Sequence, residues 1–180
     1  MLFRSVLDRE GNLLFVNTDF SCLARLETGY SFKPLWQPPF ISKLAAEDRC
    51  HLNGLALVEG QPVYLSACSA TDEGAGWRDC RQDGGILLHL PSNEIIVRGL
   101  SMPHSPRFYQ DKLWVLNSGS GELGYIEAEK FCPIAFCSAF VRGLAFWKNY
   151  ALVGLSKLRS AVFSGLVLEE RLIATGQSAL

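Results

Sequence analysis

A turn followed by a short apolar strand returns four times along this chain, and that recurrence limits the folds open to it. The clearest copy is residues 102–126, MPHSPRFYQDKLWVLNSGSGELGYI. It reads as a strand, a polar turn at Gln110-Asp111, a second strand from Lys112 to Asn117, a Gly/Ser turn and a third strand from Glu122. Aligning Asp111 with Asn12, Gly60 and Asn149 brings LLFVN at 13–17, VYLS at 63–66, LWVLN at 113–117 and ALVG at 151–154 into one column, spaced by about 50, 50 and 38 residues. The strand before each turn recurs as well, as SVLDREGN, NGLALVEG, HSPRFYQD and RGLAFWKN. Aromatic and β-branched side chains dominate these segments, as a pleated, half-buried surface requires. A unit of roughly 45 residues suits one four-stranded blade repeated about an axis.

The pattern predicts an all-β chain. We expect a single domain over 1–180, a partial β-propeller of about three to four antiparallel blades cut from a six-bladed type. The blades fall near 1–40, 51–100, 102–138 and 140–160, with an irregular tail at 161–180. Trp36, Pro38 and Pro39 end the first blade in a connector. The polar, Gly-containing stretch 71–83 (TDEGAGWRDCRQD) interrupts the second and is too long for a tight hairpin. Helical periodicity is nearly absent, leaving only 41–47 and 168–174 as candidate short helices. Four partial blades leave open edges, whose unpaired backbone groups would pair with another chain.

Charge and cysteine content narrow the functional classes. The 17 basic and 18 acidic residues nearly cancel and no basic run occurs, which argues against nucleic acid or an anionic membrane as partner. No apolar segment approaches the roughly 18 residues of a membrane span, and MLFRSVLDREGN lacks the apolar stretch of a signal peptide. A cytoplasmic location is expected. The six cysteines form no CxxC pair and read as reduced core thiols. Cys132 and Cys137 do not make a zinc site.

The strings DRCHLNGLALVEGQPVYLSA, GWR, GGILLHLP, VRGLSMPHSPRFYQDKLWVLNSGSGEL, VRGLAF and ALVGLSKLR closely resemble a family of bacterial conserved hypothetical proteins. That family carries a propeller-like domain of unknown function. The resemblance covers almost all of 13–159 and implies a longer parent with further blades, so the chain looks like a truncated member. It lends no activity. A weaker similarity, through HLNGLAL, is to gluconolactonase and strictosidine synthase-like propellers. There an Asn in a comparable phrase helps acidic residues from other blades hold a divalent cation such as calcium. Asn53 matches, but the equivalent positions Ser5, His104 and Arg142 are not carboxylates.

The repeat alignment places Ser5, Asn53, His104 and Arg142 at the start of each blade's innermost strand, with His51, Ser105 and Arg107 close by. Burying an Arg or an ionised His in a dry core costs several kcal/mol unless it is paired. These residues should therefore line a wet channel or bond backbone carbonyls. Two readings follow. In one, His104 is an acid/base or hydrogen-bond partner and Arg142 an anion clamp; in the other, the polar residues tie neighbouring blades together. Trp77 and Arg78, on the long loop, suit contact with a ligand or partner. Gly119-Ser120-Gly121 is turn chemistry rather than a nucleophile motif, and adjacent Cys50 and His51 do not make a dyad. His89 is expected to be a satisfied strand histidine, and Trp36, Trp114, Trp147 and Phe108 to pack the blades.

The expected function is a binding or scaffold domain with a polar axial site for an unknown small molecule or protein, without a cofactor. The alternative is a metal-dependent hydrolase of lactonase type, with Asn53 as the one candidate metal ligand.

Overall fold

Each copy of the turn-and-strand phrase becomes the centre of an antiparallel sheet. The structure, a computed structural model, describes residues 4–156 and 164–176. β1 (Arg4–Leu7), β2 (Leu13–Asn17), β3 (Cys22–Glu27) and β4 (Tyr30–Trp36) form the first sheet. β5 (Leu52–Val58), β6 (Gln61–Ala67), β7 (Gly85–His89) and β8 (Glu94–Leu100) form the second. β9 (Pro103–Tyr109), β10 (Lys112–Asn117), β11 (Glu122–Glu127) and β12 (Lys130–Phe136) form the third. β13 (Phe140–Trp147) and β14 (Tyr150–Ser156) make a two-stranded fourth sheet among the described residues. All are meanders in chain order and no sheet among the described residues closes on itself, so the architecture is all-β and propeller-like. The expected end of the fourth blade at 160 lies outside the described residues, as do parts of the tail and residues 1–3.

The hairpin turns explain the register. Gln110-Asp111 and Ala128-Glu129 each place two successive residues at positive φ, between 46° and 62°, the handedness that matches the twist of flanking strands. With the register set, alternate side chains point to opposite faces, and each sheet has apolar residues on both. Leu14, Val16 and Leu23 of the first sheet pack against Leu65, Ile86 and Leu88 of the second. Tyr64, Leu87 and Val97 on the other face of the second meet Leu113 and Val115 of the third. Trp114, Leu116 and Leu123 of the third then meet Leu144, Phe146 and Val153 of the fourth. The first strands of successive sheets, β1, β5, β9 and β13, lie against one another in that order.

Three of those inner strands carry a bulge at the same height. Register shifts fall between Leu52 and Gly54 in β5, opposite Trp114/Leu116 in β9, and between Val141 and Leu144 in β13. The bulges touch: a Cβ at Gly54 would run into Pro106 and Ser66, and Gly143 N–H donates to Ser105 Oγ at 3.1 Å.

Two expectations need correction. Residues 41–47 are not helical: the Ser42 N–H goes to Asp72 and the Glu47 N–H to Asp19, so long-range acceptors replace the i−4 carbonyls a helix needs. Trp147 does not pack a junction, being 60% exposed on the outward face of the fourth sheet. The candidate helix at 168–174 does form, as α1 (Val167–Ala174), and buries Leu168 and Leu172. No helix among the described residues is long and apolar enough to cross a membrane.

Candidate functional site

Polar groups gather at one end of the inner strands, where the connector before β5, the loop after β6 and the start of β9 and β13 meet. The connector ends in Asp48-Arg49-Cys50-His51, with Asp48 and His51 both in left-handed backbone at φ 46° and 51°. That geometry turns both side chains toward Trp77, which a short 3-10 helix (Gly76–Cys80) carries inward from the loop after β6. His51 Nδ1 lies 2.9 Å from the Asp48 carboxylate, and Trp77 Nε1–H donates to the same carboxylate at 3.0 Å. The imidazole stacks on the indole with centroids 4.1 Å apart. One carboxylate thus fixes two rings, and its bond to Nδ1 makes that nitrogen the protonated one, leaving Nε2 as the imidazole's other polar atom.

Beneath them the polarity is consumed internally. Ser66 Oγ–H donates to Asn53 Oδ1 at 2.7 Å, and Asn53 Nδ2–H donates to Cys68 Sγ at 3.5 Å. Cys68 packs with Trp77, Met102, Phe140 and the α1 residues Leu168 and Leu172. Burial raises the Cys68 thiol well above its ordinary range; the charge of Asp48 adds to this and that of Arg142 opposes it. His104 Nδ1 is 2.8 Å from the Met102 carbonyl, which can only accept, so that nitrogen carries the proton. Its ring meets Phe140 edge-on at 5.7 Å, and the Arg142 guanidinium lies 5.1 Å from the centroid of the Phe140 ring.

The predicted residues thus divide. His51, Asn53, Trp77, His104 and Arg142 come together through Cys68 and Phe140. Arg107 and Ser105 join inner strands instead: the Arg107 guanidinium donates to Leu144 O at 2.9 Å, to Leu55 O at 3.2 Å and to Pro106 O at 2.7 Å. It bonds carbonyls of both neighbouring sheets, and burial lowers its pKa. Ser5 lies apart, in an apolar hollow on the first sheet's outward face. Arg78 is exposed, 5.5 Å from the indole it was expected to accompany.

Sequence reasoning missed Asp48, Cys68 and the brace beside them. Buried Arg49 pairs with Glu47 at 2.8 Å and with Asp72, and bonds Ser42 Oγ at 3.0 Å, tying residues 42–49 to the loop after β6. Ser42 and Arg49 together hold the Asp72 carboxyl at about 2, below its ordinary 3.8. The signal was present as EDRCH, a dense run of ionisable residues in a connector of an otherwise apolar chain. Among the described residues no three His, Cys, Asp or Glu side chains gather so as to hold a metal.

A search of curated proteins finds no match to the chain. The profile of a domain of unknown function (DUF4915) matches residues 4–179. The chain, matched along nearly its whole length, belongs to that DUF4915 family.

Proposed function

We propose that the protein is a binding or scaffold domain, a set of β-propeller blades whose axial end presents a polar site to a small molecule or to a protein side chain. The observation that carries this reading is the Asp48–His51–Trp77 arrangement. Its imidazole and carboxylate are fixed by each other and by the indole, yet their side chains keep 19% and 23% of their surface exposed. A rigid imidazole with one nitrogen spoken for offers a single, directed hydrogen bond. Arg142 sets a positive charge nearby, which favours a ligand that carries a carboxylate or another anionic group. The near-zero net charge and the free cysteines suit a reducing, cytoplasmic compartment.

Asn53 was the anchor of the cation-dependent hydrolase reading. Its oxygen accepts from Ser66, and among the described residues no three His, Cys, Asp or Glu side chains gather to share a cation with it. The test is a thermal-shift panel of small carboxylates, sugar acids, inorganic phosphate, calcium and magnesium, run on the wild type and on His51→Ala. The expected result is stabilisation by an anionic compound that the variant loses while its own melting stays within a few degrees of wild type. Calcium-dependent turnover of a sugar lactone would replace the binding reading with the hydrolase one.

A further inference from the structure

We propose that α1 positions the candidate site: docked against the turn between β10 and β11, it holds Trp77 where the indole meets His51 and Asp48. The proposal rests on reading that trio as the working site. Leu168 and Leu172, four residues apart, lie on one face of α1, and both are buried in the apolar cluster that contains Cys68, Trp77, Met102 and Phe140. Leu166, just before the helix, joins them. His51 stacks on the indole and Asp48 accepts from its Nε1–H, so Trp77 links the polar trio to the leucines of α1. Eight residues are too few to hold a helix in water by themselves, so folding and docking of α1 are one event.

The turn Ser118-Gly119-Ser120-Gly121 is shaped to receive the helix. Gly121 sits at φ 73°, and a Cβ there would lie 2.8 Å from Leu168 Cδ1 and 2.8 Å from Cys137 O. Glycine supplies both the left-handed backbone and the room. Leu168 N–H donates to Gly119 O at 2.9 Å. The Arg171 guanidinium donates to Ser120 O at 3.3 Å, pairs with Glu122 at 2.6 Å and lies 4.0 Å from the centroid of the Phe136 ring. A polar path runs beside the apolar one. Gly119 N–H donates to Ser101 O at 2.9 Å, Ser101 Oγ–H donates to Arg81 O at 2.9 Å, and Gln82 Nε2–H donates to Gly165 O at 2.7 Å. Arg81 and Gln82 directly follow the 3-10 helix that carries Trp77. Helix, turn and Trp77 loop therefore form a triangle of contacts, and releasing α1 removes two of its sides.

The experiment is hydrogen exchange by NMR on the whole chain, following the α1 amides and the indole N–H groups of Trp77, Trp114 and Trp36. It compares wild type, Arg171→Glu, Leu172→Ala and a control, Ile173→Asp. Trp114 and Trp36 have their own acceptors, Tyr109 O and Asn93 Oδ1, outside the α1 cluster, and serve as internal references. Ile173 is 75% exposed, so its change leaves the docked face intact. Loss of the charged bonds of Arg171 shifts the docking equilibrium by about tenfold or more. The expected result is exchange at least about tenfold faster at the α1 amides and the Trp77 indole in Arg171→Glu and Leu172→Ala, with Trp114, Trp36 and the control at wild-type rates. A Trp77 indole still protected where the α1 amides have lost protection overturns the proposal. So do α1 amides that stay protected in both variants, and so does an equal acceleration at all three indoles, which marks general loosening. No ligand enters the measurement, so the two readings fail separately. Coupled exchange in a protein that no compound of the thermal-shift panel stabilises keeps the link from α1 to Trp77 and removes the binding site; an anion bound through His51 in a protein with uncoupled exchange does the reverse.

Discussion

Replacing Arg107 separates a residue that holds the sheets together from one that holds a ligand. Its guanidinium donates to Leu55 O on one side and Leu144 O on the other, with a third bond to Pro106 O. Hydrogen bonds from a charged donor contribute about 1.5–3 kcal/mol each. Taking the low end for the two bonds that cross between sheets gives about 3 kcal/mol, with the local bond to Pro106 left out because water can replace it. Lost packing of the aliphatic stem adds to this. Release from the burial that lowers the guanidinium pKa subtracts a comparable amount. Arg107→Ala should therefore lose about 3 kcal/mol in urea unfolding, and its Tm should fall by about 6–12 °C for a domain of this size. Arg107→Lys, which can reach only one carbonyl at a time, should recover no more than half. A loss under about 1 kcal/mol in Arg107→Ala would refute the idea that these bonds clamp the sheets, and unaltered stability with lost ligand binding would return Arg107 to the site.

Gly54→Ala should destabilise the chain by about 1–3 kcal/mol in the same urea assay, because its methyl group meets Pro106 and Ser66 across a packed junction. The thiols of Cys22 and Cys50 are pushed up by burial to about 11 and about 12, and that of Cys68 higher still. Ellman's reagent at pH 8 should thus label no more than Cys80, Cys132 and Cys137 in the native protein and all six in urea. Asp72, held at about 2 mainly by its bonds from Ser42 and then by Arg49, lies below its unfolded value of 3.8. Its contribution is fully present above about pH 4 and is lost as pH falls toward 2. Pepsin should cut the connector at 37–51 faster as pH drops through that window, and Asp72→Asn should cut fast throughout; a rate independent of pH in the wild type would contradict this.

The parts of this structure that local chemistry dictates were visible in the sequence. LLFVN, VYLS, LWVLN and ALVG lie within β2, β6, β10 and β14, because alternation and turn residues act over a few positions. LEERLIA forms a helix as its spacing suggests. The segment ISKLAAE does not, since its backbone is claimed by Asp72 and Asp19, acceptors that no local pattern contains. The same limit governs the site. The repeat aligned Ser5, Asn53, His104 and Arg142, with His51 close by, and all of these but Ser5 gather around Cys68 and Phe140. Asp48 was missed because its meaning depends on Trp77, 29 positions away and delivered by a loop outside the repeat. Trp147 shows the converse: its strand was read correctly, but whether a neighbouring sheet covers it is not written in the strand.

The aligned bulges of β5, β9 and β13 act as teeth on a rack. Gly54 seats against Pro106 and Ser105 binds Gly143, so the second, third and fourth sheets cannot slide along their inner strands past one another without unmeshing. Lengthening or shortening an inner strand by one residue on the far side of its bulge is then absorbed at the free end. The same change between the bulge and the axial end would lift His51, His104 or Arg142 out of level with the others. Tolerance to insertion should accordingly differ sharply between the two halves of each inner strand.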